Sequence, residues 1–200
     1  MRFTKKILSF FLFICFVTTI QAQKGEIGFT FSGFSNNAIA RFGDSYEDDS
    51  STDAGKSFAF GITYIKPLNN WLELESGIEI LQCPAEVHSI FYDQNGFTSY
   101  NSKGLMSIIN IPISVRANFW KYCFVNGGFV LDVDISKYSP VNQQTGLGTM
   151  LGVGLKYDLK SGISFFLNPY IKIHTFPASF QTNQQHLLES AFRFGITYNL

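Results

Sequence analysis

Three histidines, one run of carboxylates and a scatter of alternating charges are the residues of this chain that could do chemistry. His88 is followed by Ser89, while His174 and His186 stand in polar stretches further on. A histidine beside a hydroxyl suggests nucleophilic catalysis, but that chemistry also needs an orienting acid and a nucleophile on a strained turn. No such motif surrounds these residues, so loop histidines and no enzyme are expected. The run GDSYEDDSSTD carries Asp44, Glu47, Asp48, Asp49 and Asp53. Carboxylate oxygens suit calcium or magnesium, yet the spacing is not that of an EF-hand, and a solvated charge run without a bound metal is expected. The stretch GLGTMLGVG at 146–154 lacks both the GxGxxG spacing and a following helix, so it predicts strand glycines and no nucleotide cofactor.

A second group of charges is more orderly. Glu73, Glu75, Glu79, Arg116, Asp132, Asp134, Lys156, Asp158, Lys172 and Arg193 all alternate with apolar neighbours, so they share the polar face of extended segments. Enclosed together, they would have to pair, because a lone charge in low dielectric is costly. Simple antiparallel register brings Glu75 near Arg116. The same residues could line an ion or proton path. A closed, plugged interior is preferred, since an eight-stranded barrel is just wide enough for its own side chains.

The elements that would position these charges are strands. Period-two alternation runs through 27–34, 57–65, 71–83, 109–119, 123–134, 151–158, 163–174 and 193–200. Polar stretches at 35–56, 84–104, 136–146 and 175–188 read as long loops. The connections at 66–70, 120–121 and 159–162 read as tight turns. Eight strands with long loops on one rim and short turns on the other predict an all-β, antiparallel, up-and-down transmembrane β-barrel with long extracellular loops and short periplasmic turns. An even strand count puts both chain ends on the short-turn side.

Which face is outside follows from composition. Gly28, Gly61, Gly77, Gly128, Gly152, Gly154 and Gly195 fall on the polar face, where small residues relieve crowding in a narrow lumen. Tyr64, Trp71, Trp120, Tyr122, Tyr157 and Tyr198 cluster at short-turn strand ends, as an interfacial aromatic girdle would. The apolar face is therefore expected to meet lipid, against the alternative of a soluble, lipocalin-like ligand carrier.

The front of the chain reads as a targeting segment. Arg2, Lys5 and Lys6 precede a fourteen-residue apolar stretch at 7–20 and then Gln-Ala-Gln, which predicts a signal peptide over 1–22 and a barrel domain over 23–200. Without 1–22 the chain keeps 12 Lys and Arg against 15 Asp and Glu, a net charge of −3, which offers no basic patch for nucleic acid. Cys83 and Cys123 fall at opposite strand ends and on opposite faces, so both are expected to be free thiols, since a disulfide needs Cα atoms within about 7 Å. Pro112 and Pro169 lie inside strands, where proline removes a ladder donor, and predict a bulge or a shifted strand end.

The chain resembles PorT-like outer-membrane proteins, those with an outer membrane protein beta-barrel domain. The resemblance rests on the start ending in QAQ, GEIGFTFSGF, FAFGITYIKPLNNWLELESGIEIL, NIPISVRANFW, FVNGGFVLDV and the closing RFGITYNL. It implies a cell outer-membrane protein acting in secretion, envelope organisation or binding. The expected partners are outer-membrane lipids, the barrel-insertion machinery and an extracellular or envelope protein, with the barrel itself a monomer. Arg193, Gly195, Tyr198 and Leu200 match the C-terminal insertion signal of such barrels. Alternative roles are a rim enzyme acting on lipid or peptide, and a narrow porin-like channel.

Overall fold

A computed structural model describes residues 25–41, 51–93, 96–176 and 185–200. The leader expected over 1–22 lies outside these residues, as do Asp44, Glu47, Asp48 and Asp49. The described chain is all β: β1 (Glu26–Arg41), β2 (Ser51–Ala54), β3 (Phe58–Pro67), β4 (Leu72–Asp93), β5 (Gly96–Phe119), β6 (Cys123–Asp134), β7 (Gly146–Asp158), β8 (Ile163–Ile173) and β9 (Gln185–Asn199). Eight of these strands, all but β2, close into one antiparallel ring in chain order, with β9 returning to β1. The closing ladder pairs Glu26 with Asn199 and Gly28 with Thr197, and the Leu200 amide donates to the Gly25 carbonyl at 2.9 Å. β9 stays in the ladder with β1 as far as Asn199, and those backbone groups complete the ring of eight.

The alternation selects the faces. Phe29, Leu151, Ile78, Ile196 and Phe129 are exposed on the outer wall, whereas Glu75, Arg116, Asn110 and Asn168 are wholly buried inside. This is the inverse of a lipocalin, whose apolar face points inward. Tyr64, Trp71, Trp120, Tyr122, Tyr157 and Tyr198 are all exposed near the short-turn rim. The turns are built from local chemistry. The Asn69 side-chain oxygen accepts from the Trp71 and Leu72 amides at 3.0 and 2.8 Å, and Gly162 takes the left-handed backbone (φ 85°) that closes β7 onto β8.

Three expectations need correction on the opposite rim. The first is the loop expected over 175–188, inside which β9 already begins at Gln185 and pairs with the extension of β1. Residues 84–104 are mostly strand: β4 and β5 run 22 and 24 residues as one hairpin up to Asp93 and Gly96. Crossing a bilayer takes about 9–11 residues, so roughly half of each strand stands beyond the apolar wall. There the apolar alternation of the sequence stops, and the ladder continues without it. Likewise 35–56 is not all loop. β1 continues to Arg41, and β2 adds a short ninth strand on β4, pairing Ser51 with His88 and Ala54 with Ala85.

The prolines also depart from expectation. Register is unchanged across Pro112 and Pro169, with neither a bulge nor a strand end at either. At Pro169, which has no N–H, the Asn168 side chain donates to the Val153 carbonyl at 2.8 Å and so occupies an acceptor of the interrupted ladder. The bulge in this wall lies instead in β1, between Gly33 and Asn36, where Phe34 adopts φ 53°. The extra residue reverses the parity of β1, so that Ser35 is buried where its odd-numbered predecessors Phe29 and Phe31 face outward.

Candidate functional site

The lumen is the most organised chemical feature of the molecule, and it is stacked in layers. At the short-turn mouth, Lys156 meets Glu26 at 2.5 Å and Glu73 at 3.8 Å, and the Thr197 hydroxyl donates to the other Glu26 oxygen at 2.6 Å. Above this, Phe124, Phe166 and Ile65 form a buried apolar layer. Phe124 lies over Gly154 and Phe166 over Gly195, each directly across its ladder, and a Cβ on either glycine would strike the ring.

Arg116 sits on those rings, its guanidinium carbon 4.1 Å from the Phe124 centroid and 4.8 Å from that of Phe166. Its Nη2 donates to Glu75 at 3.0 Å, while Nε and Nη1 find no hydrogen-bond acceptor among the described residues. The aromatic faces offset that loss in part. From Glu75 the pairing climbs without a break. Arg193 reaches Glu75 at 2.8 Å and Glu79 at 3.5 Å, and it also donates to the Asn168 side-chain oxygen at 2.8 Å. Lys172 bridges Glu79 at 3.2 Å and Glu189 at 3.5 Å. His174 then spans Glu189 at 3.4 Å and Asp132 at 3.0 Å, while the Tyr170 hydroxyl donates to Glu189 at 2.7 Å.

Above the charges the lumen becomes apolar again. Ala59, Leu81, Cys83, Ala85, Met106, Ile108 and Leu187 pack together with Val141, which comes from the connection between β6 and β7. Gln144 ties that connection down: its amide nitrogen donates to the Gln185 carbonyl at 2.8 Å, and its side-chain oxygen accepts from the Leu187 amide at 3.1 Å. The connection is thus a cap over the outer mouth.

Most of the charges singled out in the sequence meet in this lumen, namely Glu73, Glu75, Glu79, Arg116, Asp132, Lys156, Lys172 and Arg193. Two do not. Asp134 stands at the rim, accepting from Ser136 and from the Gln144 amide, and so anchors the cap. Asp158 is mostly exposed at the opposite mouth, 3.5 Å from Lys156. In both cases the strand ends before the side chain is enclosed. Sequence reasoning missed Glu26, Glu189, Tyr170, Phe124, Phe166, Val141 and Gln144. Glu189 was within reach of it, since it pairs directly with Lys172 in the ladder between β8 and β9. Val141 and Gln144 carry no periodic signal at all.

The other candidates are dispersed. His88 and Ser89 are successive residues of β4, so the pleat sends their side chains to opposite faces. The His88 ring is 2.8 Å from the Asn101 side-chain oxygen. Beside it, Glu86 accepts from Lys103 at 2.7 Å, a bond that holds the Glu86 carboxyl below its usual range. His186 lies 2.8 Å from the Thr175 hydroxyl. Asp53 is exposed on β2, and among the described residues no group of three or more His, Cys, Asp or Glu is arranged to hold a metal. Cys83 and Cys123 are free, Cys83 inside the upper apolar layer and Cys123 on the outer wall. Of the four closing residues, Arg193 and Gly195 point into the lumen, and Tyr198 and Leu200 point outward.

No family model and no curated protein matches the chain. Among solved structures, the chain is similar to the outer membrane protein AlkL, determined by solid-state NMR in DMPC bilayers. The TM-score is 0.50 at 12% identity, over 88% of this chain and 90% of that one. This is an outer-membrane barrel fold. A second similar structure is the outer membrane protein OprG from Pseudomonas aeruginosa, with a TM-score of 0.46 at 12% identity, over 90% of this chain and 96% of that one.

Proposed function

We propose that this protein is a non-enzymatic outer-membrane barrel, closed to water and ions, that acts through its outer projection in envelope organisation, secretion or binding of a partner. The observation that carries this reading is the filled lumen. An unbroken series of buried ion pairs from Arg116 to Asp132 lies between two apolar layers. A permeating ion would have to separate pairs whose members have no water to replace the lost partner, and breaking one buried pair costs about 3–5 kcal/mol. An anchor of this kind leaves the hairpin of β4 and β5, with β2 on its edge, as the surface available to an extracellular or envelope protein.

Placement in the outer membrane is supported by the exposed apolar wall, the aromatic rim and the fold shared with AlkL. The signal peptide, kinship with PorT-like proteins, monomeric state and use of Arg193, Gly195, Tyr198 and Leu200 by the insertion machinery belong to the same proposal. A rim enzyme gains no support from His174, whose two ring nitrogens both face carboxylates. Two measurements test the reading together. Unboiled protein from outer-membrane fractions should migrate differently from boiled protein, and the refolded barrel should give no discrete conductance in planar bilayers. Steady single-channel steps would refute the closed lumen. A soluble periplasmic protein without a mobility shift would refute the placement.

A further inference from the structure

The outer wall is not uniformly smooth. Two rows of outward side chains run across the ladder at neighbouring levels, and between them lies a furrow of about 1180 Å³. The upper row follows register directly: Phe60, Phe31, Phe194, Leu167, Leu155 and Cys123, each paired to the next. The lower row runs Phe29, Ile196, Phe165 and Tyr157 in the same way. The row between them is Thr30, Gly195, Phe166 and Lys156, of which Thr30, Phe166 and Lys156 turn their side chains into the lumen and Gly195 has none. Backbone alone therefore floors the furrow, and bulky rings such as Phe29, Phe31, Phe165 and Phe194 raise its walls.

Length and slope identify what fits. The upper row crosses from β6 to β3, five strand spacings, or about 24 Å at ~4.8 Å each. It starts three residues from the short-turn end of β7 (Leu155 against Asp158) and finishes seven residues from that end of β3 (Phe60 against Pro67), so it climbs away from the short-turn rim. With strands tilted by about 45°, that path rises roughly 17 Å, close to half of a ~30 Å hydrocarbon core. The furrow thus spans one leaflet, from interface to midplane.

Its lower mouth is of the opposite chemistry. Tyr122 and Tyr157 stack there with centroids 5.8 Å apart, Lys121 holds its ammonium 5.2 Å from the Tyr122 ring, and Lys160 is exposed on the turn joining β7 to β8. The nearby acid, Asp158, is 3.5 Å from Lys156. We infer that this furrow is a binding site for one phospholipid of the short-turn-side leaflet. One of its acyl chains lies between the two rows, and its phosphate meets Lys121 beside the tyrosine hydroxyls. The inference rests on the membrane placement proposed above.

The test uses the full-length mature barrel refolded into vesicles of phosphatidylethanolamine and phosphatidylglycerol, extracted into detergent and weighed by native mass spectrometry. Folding is checked in parallel by the mobility shift on boiling. Wild type should retain one phospholipid. Phe165→Ala with Phe194→Ala, which lowers the walls, and Lys121→Glu, which reverses the charge at the mouth, should each weaken retention about tenfold. Ile113→Ala with Phe129→Ala, an exposed pair elsewhere on the wall, should leave it unchanged. Equal retention by all of these folded proteins would mean annular lipid only and overturn the site. A second copy of the chain in place of lipid would overturn it too. A wild type that neither enters the vesicles nor shifts on boiling overturns the membrane placement, and the lipid site with it.

Discussion

Replacing Glu75 with glutamine isolates what the lumen network contributes. Glu75 is wholly buried and serves two cations, Arg116 at 3.0 Å and Arg193 at 2.8 Å. After Glu75→Gln, Arg193 still has Glu79, but Arg116 loses its one carboxylate among the described residues and keeps only the two aromatic faces. At 3 Å and an effective dielectric of about 20, one such attraction is worth roughly 5 kcal/mol, in line with the ~3–5 kcal/mol measured when a buried pair loses one member. Glu75→Gln should therefore destabilise the barrel by about 3–5 kcal/mol. Adding Arg116→Met removes the stranded charge while keeping its bulk against Phe124 and Phe166, so the double variant should be more stable than Glu75→Gln alone. Urea titration of the barrel refolded in vesicles, followed by emission of Trp71 and Trp120, measures both. A cost below about 1 kcal/mol for the single variant would show an interior wet enough to solvate Arg116. A double variant no better than the single would show that the stranded charge is not the source of the cost. Either result would refute the sealed lumen.

Three further outcomes follow from the same geometry. Gly195→Val should destabilise the barrel by about 1–3 kcal/mol through collision with the Phe166 ring, and Gly195→Val with Phe166→Ala should recover part of that by urea titration. Persistence of the full defect in the pair would assign Gly195 to insertion alone. Val141→Asp places an unpaired carboxylate in the upper apolar layer and should loosen the cap, read as faster proteolysis of the β6–β7 connection and a loss on the order of 2–4 kcal/mol. Cys83 should resist a water-soluble maleimide in the unboiled barrel and react fully once it is boiled, because its side chain is enclosed by Ala85, Met106 and Leu187. Rapid labelling of the folded protein would mean that the outer mouth is open.

Local pattern was enough for the strands, their two faces and the short turns. The pleat alternates side chains with period two, so Phe29 and Phe31, or Glu73 and Glu75, declare their face through nearest neighbours alone. The lumen charges were legible for the same reason. The limits of the strands were not. Above the apolar wall the hydrogen-bond ladder of β4 and β5 continues while the contrast between faces disappears, so 84–104 looks like loop and is hairpin. The β1 bulge is hidden likewise, because Phe34 in the left-handed region leaves no mark on composition.

Pairing inside the lumen belongs to tertiary structure. In the ladder Arg116 stands opposite Glu73, yet its guanidinium reaches Glu75. Glu79 on β4 meets Lys172 on β8 and Arg193 on β9 across the interior. The sequence by itself determined that these charges share one face, because parity is a property of neighbouring residues. Register between neighbouring strands already brought Glu75 near Arg116, but closure of the ring decided which of the distant charges touch, and the folding back of the β6–β7 connection set Val141 over the mouth. Contacts across a barrel depend on its curvature as well as on the length of each side chain, and curvature is not encoded within a single strand.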